Sequence, residues 1–378
     1  MVAAGASWHN PLAKGAWAMK AGFVAVLVVA SSAALAAQWL GQSTAGIPRT
    51  PDGKPNLTAP PPRAPDGKPD LSGLWAKTSP KYARNIAADL KPEEIRPPAR
   101  ATVERHREDL GKDGMQVKCL PLGPAYATSG DSTGSEMMRI VQTPQLIVML
   151  NPDLTYRQIW MDGRALEANP NASWMGYSVG RWEGDTLVVE SYGFHPGTWL
   201  DRDGHPHTEQ LRLTERYRRP SFGKLETEVT FNDPGAYTRP WTVKVVSEYA
   251  ADTEMLEWVC NEGAGRSLVH WVGKASDERK NEVKVSPAVL ARYIGTYDEQ
   301  APFWRSVQIT GAAQVSGRTV QITVVDGRLV GEMDGRGKQE LIAASDTEFS
   351  GLYGLGVQFI DGGLFVKHVS GNYRFARR

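Results

Sequence analysis

From residue 139 onward the chain breaks into short apolar or alternating runs, each closed by a turn signal, and this rhythm restricts the fold more than any other feature. The runs fall at 140–150 (with Leu146-Ile147-Val148-Met149-Leu150 inside it), 155–161, 180–182, 186–191, 208–217, 225–231, 241–249 and 255–259. Glu183-Gly184-Asp185 has the composition of a hairpin turn between two of them. Strand-length runs separated by turns, with few helical patterns between them, predict an antiparallel barrel or sandwich. The abundance of glycine (38) and proline (25) fits so many turns.

A second unit follows a charged stretch, ASDERKNEVKVSP, beginning at Ala275. Ala288–Tyr297 opens it, and strands are expected near 320–325, 329–333, 340–344, 349–352, 357–360 and 365–369. Asp326-Gly327 and Asp361-Gly362-Gly363 mark its hairpins. About a hundred residues of this kind suit a small barrel or covered meander. The one helix expected lies at 98–110, opened by Pro98 and stopped near Gly111, and its charge places it on the outside.

Lys14 and Lys20 precede an uncharged apolar run, Ala21 to Ala37, that ends in small residues. Positive flank, apolar core and small-residue end describe an export signal occupying 1–37, with Met19 able to serve as its start. The alternative is a single membrane anchor, because the run approaches spanning length. No lipobox cysteine follows the run. Residues 38–70 are rich in Pro and Gly, contain PDGKPNL and then PDGKPDL, and read as an extended linker. The expected division is therefore 1–37 signal, 38–70 linker, 71–273 main β domain, 274–287 linker and 288–378 small β domain. Export places the two cysteines, Cys119 and Cys260, where thiols oxidise, so a disulfide is expected, with a single catalytic thiol as the alternative. Lysine plus arginine (43) balances aspartate plus glutamate (42), so no field favours nucleic acid or an anionic membrane.

The richest concentration of chemistry is FHPGTWLDRDGHPHTEQLRLTERY, from Phe194 to Tyr217. It holds His195, Asp201, Asp203, His205, His207, Glu209 and Glu215. If a strand runs from His207, the odd positions, His207 to Tyr217, share one face that is apolar in the middle and ionisable at both ends. Pro206 keeps His205 extended, so His205 and His207 fall on one side and could share a zinc ion, with Asp201 or Glu209 as oxygen ligand. Acid–base chemistry by His207, with Asp201 and Glu209, is the other functional reading. An exposed histidine turn is the plain structural one. Arg157, Asp162 and Arg164 form a second group, able to clamp a substrate or to brace the Asp162-Gly163 turn. Trp160, Trp174, Trp199 and Trp241 lie close by in sequence and make either core or the walls of a pocket with Arg157, Arg164 and Glu215. No G-x-S-x-G, H-E-x-x-H, P-loop or dinucleotide glycine signature is present.

The segments PDGKPDLSGLW (from Pro65), RQIWMDGR (from Arg157), WMGYSVGRWEGDTLVVES (from Trp174), TWLDRDGHPHTEQLRLTERY (from Thr198) and DPGAYTRPWTV (from Asp233) resemble a large group of exported bacterial proteins. The resemblance covers about residues 65 to 265 and implies export without implying a mechanism. The segment from Ala288, with ARYIGTY, is similar to lipocalin-like β domains appended to some exported hydrolases. The resulting expectation is a periplasmic or secreted, mostly β protein: a calycin-like antiparallel barrel followed by a smaller β-barrel or meander. Its partner is a small organic molecule, with no nucleic acid and no membrane beyond the export signal. No cofactor is required, zinc being the one candidate. The alternatives are an extracytoplasmic hydrolase or lyase built on His207 and Asp201, and an envelope scaffold.

Overall fold

The computed structural model describes residues 43–77, 80–82, 84–125, 137–257, 259–260, 274–300, 318–333, 338–351, 355–368 and 371–378. The expected export signal lies outside them. Strands β1 (Gly73–Lys77), β2 (Met137–Gln142), β3 (Leu146–Leu150), β4 (Tyr156–Trp160), β5 (Tyr177–Glu183), β6 (Thr186–Tyr192), β7 (Arg212–Ser221), β8 (Lys224–Asn232) and β9 (Trp241–Tyr249) close in chain order into a barrel. The closure pairs β1 with β9. Neighbours are antiparallel except β4 and β5, which run parallel through Ile159↔Ser178 and Trp160↔Val179. A parallel pair cannot be joined by a hairpin, so residues 161–176 must carry the chain back along the barrel.

A second barrel follows the same up-and-down logic. Its strands are β10 (Gly295–Glu299), β11 (Thr319–Val325), β12 (Arg328–Met333), β13 (Lys338–Ala343), β14 (Glu348–Gly351), β15 (Leu355–Ile360), β16 (Gly363–His368) and β17 (Gly371–Arg377), with β17 pairing back to β10. Tyr297, Ile322, Leu341, Phe349, Phe359 and Phe375 fill its interior. The mostly β, two-barrel reading of the sequence therefore holds.

Alternation sets the interior of the first barrel. In β7, Leu213, Glu215, Tyr217 and Arg219 are buried, while Arg212, Arg216 and Arg218 face water, as period-two geometry requires. The strand does not begin at residue 207 or 208, however. Leu211 N–H donates to the Thr208 carbonyl in a turn (3.2 Å), and β7 starts at Arg212. The expected strand at 255–259 is absent from the described part, residues 255–257 having no regular structure.

The segment 43–70 does not behave as a free linker. Its sequence repeat is also a repeat of structure. Arg49 and Arg63 occupy equivalent places before Pro-Asp-Gly turns closed by the bridges Arg49↔Pro55 and Arg63↔Pro69. Each guanidinium caps its own turn, on the Gly53 and Gly67 carbonyls, and reaches a barrel carboxylate, Asp252 or Asp185. Leu57 and Ile47 pack against Phe222 and Ala251, so the strap covers apolar surface. Proline and glycine content pointed to its turns, but gave no sign of what the segment lies against.

Each end of the first barrel carries packed side chains. At one, Arg219 lies among Trp75, Phe222 and Tyr249 and donates to the carbonyls of Asp70 (2.5 Å) and Phe222 (2.6 Å). Burial pulls its pKa down to about 10. At the other sits a cap formed by residues 80–82 and 84–125, with α1 (Pro97–Glu108), by the β6–β7 connection, and by residues 233–240. Trp241 Nε1–H donates to the Ile86 carbonyl (3.1 Å) and Tyr237 Oη–H to that of Pro206 (2.9 Å), which ties these segments together. A disulfide joins Cys119 of the cap to Cys260, Cα to Cα 5.6 Å. Among the described residues no helix is long and apolar enough to cross a membrane.

Candidate ligand cavity and histidine cap

Arg157 is the second residue of β4, and alternation turns it into the lumen while Tyr156 and Gln158 face outward. There it forms a bidentate ion pair with Glu215 of β7. Its Nε donates to Ser178 Oγ of β5 (3.1 Å) and its Nη2 to Ser191 Oγ of β6 (2.7 Å). Tyr217 Oη–H donates to Glu215 Oε1 (2.7 Å), and the two serine hydroxyls are 2.9 Å apart. Burial alone would lower the arginine pKa, but the Glu215 carboxylate outweighs it and the guanidinium stays charged. Burial next to that carboxylate raises the Tyr217 phenol well above its ordinary value, which keeps it a donor. The pair is thus a closed, mutually neutral unit.

This network forms one wall of a cavity of about 40 Å³ in the lumen, room for a few water molecules. Met138, Met149, Met175, Val245 and Pro124 supply its apolar lining, and Asn151, Thr227 and Ser247 its neutral polar groups. Lys77 stands at the end of β1 on the same cavity and is itself engaged by a neighbour. Thr227 and Ser247 are only 6% and 4% exposed, yet their hydroxyls have no side-chain hydrogen-bond partner among the described residues. They lie diagonally across the β8–β9 pair, since Thr227 faces Val245 in the ladder and Leu225 faces Ser247. Neither oxygen is sealed off from the cavity, so water or a ligand there can supply its hydrogen bonds.

The histidines occupy the cap. His205 Nδ1 meets Asp201 Oδ2 at 2.6 Å, and the Asp201 carboxylate also accepts from the backbone N–H of His205 (3.1 Å) and of Ile86 (2.8 Å). His207 Nε2 meets Thr198 Oγ1 at 2.6 Å, and its Nδ1–H donates to the Thr208 carbonyl (2.9 Å). Burial lowers the His207 pKa. Burial also acts to lower that of His205, but the Asp201 charge and hydrogen bond outweigh it and the net shift is upward. His106 stacks on Trp199 (4.0 Å) and reaches the Gly204 carbonyl through Nδ1 (2.8 Å). A side chain at Gly204, whose φ is +83°, would run into that imidazole, with Cβ 2.7 Å from Nδ1. His195 stacks on Trp174 (4.1 Å).

The expected sites are therefore divided differently from the sequence reading. Asp201 serves His205, not His207, so the His207–Asp201 pair is replaced by an Asp201–His205 brace that ties the 201–205 turn to Ile86. Glu209 is exposed in the turn before β7. His205 and His207 engage different partners, and among the described residues no group of three or more His, Cys, Asp or Glu is placed to hold a metal ion. Of the expected binding residues, Arg157 and Glu215 line the cavity. His207, Trp160, Arg164, Trp174, Trp199 and Trp241 do not. Trp241 is core, stacked on Phe231 (4.8 Å). Trp160 lies under Arg164 (3.9 Å), which pairs with Asp162 and braces the turn. The sequence reading missed the methionines and the Thr227 and Ser247 hydroxyls. Strand parity on β8 and β9 could have found the hydroxyls, because each is a polar residue on an otherwise apolar inward face.

In comparisons with known proteins, no family model, curated protein or solved structure matches the chain.

Proposed function

We propose that this is an exported small-molecule-binding protein whose ligand occupies the lumen of the first barrel. The observation that carries the reading is a lumen cavity onto which two hydroxyls, those of Thr227 and Ser247, open with no side-chain partner among the described residues. A barrel of this size has an interior that side chains fill or that holds one small ligand. Three methionines on the walls give the cavity room to adapt, because an unbranched thioether repacks at low cost. The acid–base alternative loses its dyad, since the Asp201 carboxylate is engaged by His205 and Ile86.

Fluorescence titration with 2-naphthol tests the reading. Saturable one-to-one binding is expected for the native protein and none for Val245→Trp, whose indole fills the lumen, provided circular dichroism shows both folded. Equal binding by the two proteins, or binding by neither, would overturn it. The export element is tested separately by N-terminal sequencing of periplasmic protein, which should begin after Ala37.

A further inference from the structure

The lining of the same cavity defines what chemistry fits it, an inference that rests on the binding reading just given. Arg157 and Glu215 neutralise each other, and every oxygen of that pair is already held by Arg157 or Tyr217. Lys77 already has a neighbour as partner. A charged head group would have to compete with the neighbour that Lys77 already engages or break the buried Arg157–Glu215 pair to gain a counter-charge. What the walls leave open is neutral: two hydroxyls, each able to donate to or accept from an oxygen, with the side-chain amide of Asn151 beside them. The rest of the lining is dominated by the thioethers of Met138, Met149 and Met175, which make favourable sulfur contacts with aromatic rings.

We infer that the ligand is a small uncharged aromatic molecule carrying one carbonyl or hydroxyl oxygen. The ring lies among the three methionines and the oxygen is held by Thr227 and Ser247. Because the unliganded cavity is small, entry displaces methionine side chains and the few waters it can hold.

The test is calorimetric titration of the full chain with four probes of similar size: acetophenone, cyclohexyl methyl ketone, benzoate and toluene. Acetophenone should bind at least ten times more tightly than benzoate and several times more tightly than the cyclohexyl ketone. Thr227→Val with Ser247→Ala should weaken acetophenone at least fivefold and leave toluene unchanged or tighter. Met138→Leu, Met149→Leu and Met175→Leu together should abolish the preference for the aromatic over the cyclohexyl ketone. Benzoate equal to or tighter than acetophenone, with Val245→Trp abolishing both, keeps the cavity as a binding site and overturns the uncharged class. Loss of toluene and acetophenone in equal measure on hydroxyl removal overturns the assigned oxygen contact. Failure of every probe to bind overturns the class together with the binding reading beneath it.

Discussion

Arg157 on β4 and Glu215 on β7 meet across the lumen as a buried bidentate pair, and in doing so they span the parallel β4–β5 seam. That seam is short, joining two residue pairs. Arg157 bridges it from within, through Ser178 of β5 and Ser191 of β6. From outside, Arg164 covers it by stacking on Trp160 of β4 and donating to Tyr177 Oη of β5 (3.3 Å). The arginines of the YRQIWMDGR segment are therefore closures of the barrel first, and only Arg157 also faces the cavity.

The buried pair yields the largest expected loss. Replacing Arg157 by Met strands the Glu215 charge in the interior, which costs about 3–5 kcal/mol. The double replacement Arg157→Met with Glu215→Leu should recover a large part of that loss, because no orphan charge remains. Urea denaturation of the two single variants and the double variant measures the coupling. Additive losses would mean that the pair does not act as a unit.

How far the sequence foretold this depends on the range of the interaction involved. Strand rhythm and parity are local, so the barrels and the inward side of Leu213, Glu215 and Tyr217 were legible. Turn chemistry located α1 and three of the hairpins, β5–β6, β11–β12 and β15–β16. The partner of Asp201 was not legible, since Asp201, His205 and His207 are near neighbours and the choice between two imidazoles depends on how the β6–β7 connection folds against Ile86. Nor was the cap, whose contacts join residues more than a hundred positions apart, such as Trp241 with Ile86. A tryptophan on an inward strand face reads equally as core or as pocket wall until the neighbouring strand is in place.

His205 and His207 should give opposite pH signatures. The His205 pKa is raised above its unfolded value by Asp201, despite burial, with Asp203 and Arg107 also acting on it. Its contribution is fully present below about pH 6.5 and is lost as pH rises through the folded value. The His207 pKa is lowered by burial, with Asp233 and His195 also near it. Its contribution is present above about pH 6.5 and is lost as pH falls through the folded value. Thermal melts of native protein against His205→Asn should differ more at about pH 5 than at about pH 8, and those against His207→Gln should differ more at about pH 8. The same trend for both variants would refute these assignments.

The disulfide holds the cap over a long loop. Cys119 and Cys260 are 141 positions apart, and closing a loop of that length restricts the unfolded chain by about 4–5 kcal/mol in the chain-entropy model. The Cys119→Ser, Cys260→Ser variant should melt well below the oxidised protein and match the native chain melted in dithiothreitol. Melting temperatures that coincide with and without the bond would show that the strap and cap contacts alone fix this end.

The repeated strap should depend unequally on its two arginines. Arg49 and Asp252 are 26% and 16% exposed, against 50% and 61% for Arg63 and Asp185. Exposed ion pairs contribute little because water competes for both charges. Asp252 is in addition fixed by the backbone N–H of Thr44 (2.9 Å), and Arg49 also reaches Ser43 Oγ (2.8 Å). The first turn is therefore a linked network and the second a solvated pair. Proteinase K, which does not need a basic residue for cleavage, should cut the strap of Arg49→Ala clearly faster than that of the native protein, with Arg63→Ala close to native. Leu57→Ala should resemble Arg49→Ala, because Leu57 packs on Phe222 and Ala251 beside the same turn. Equal cutting of the two arginine variants would show that the apolar contacts, not the ion pair, anchor the strap.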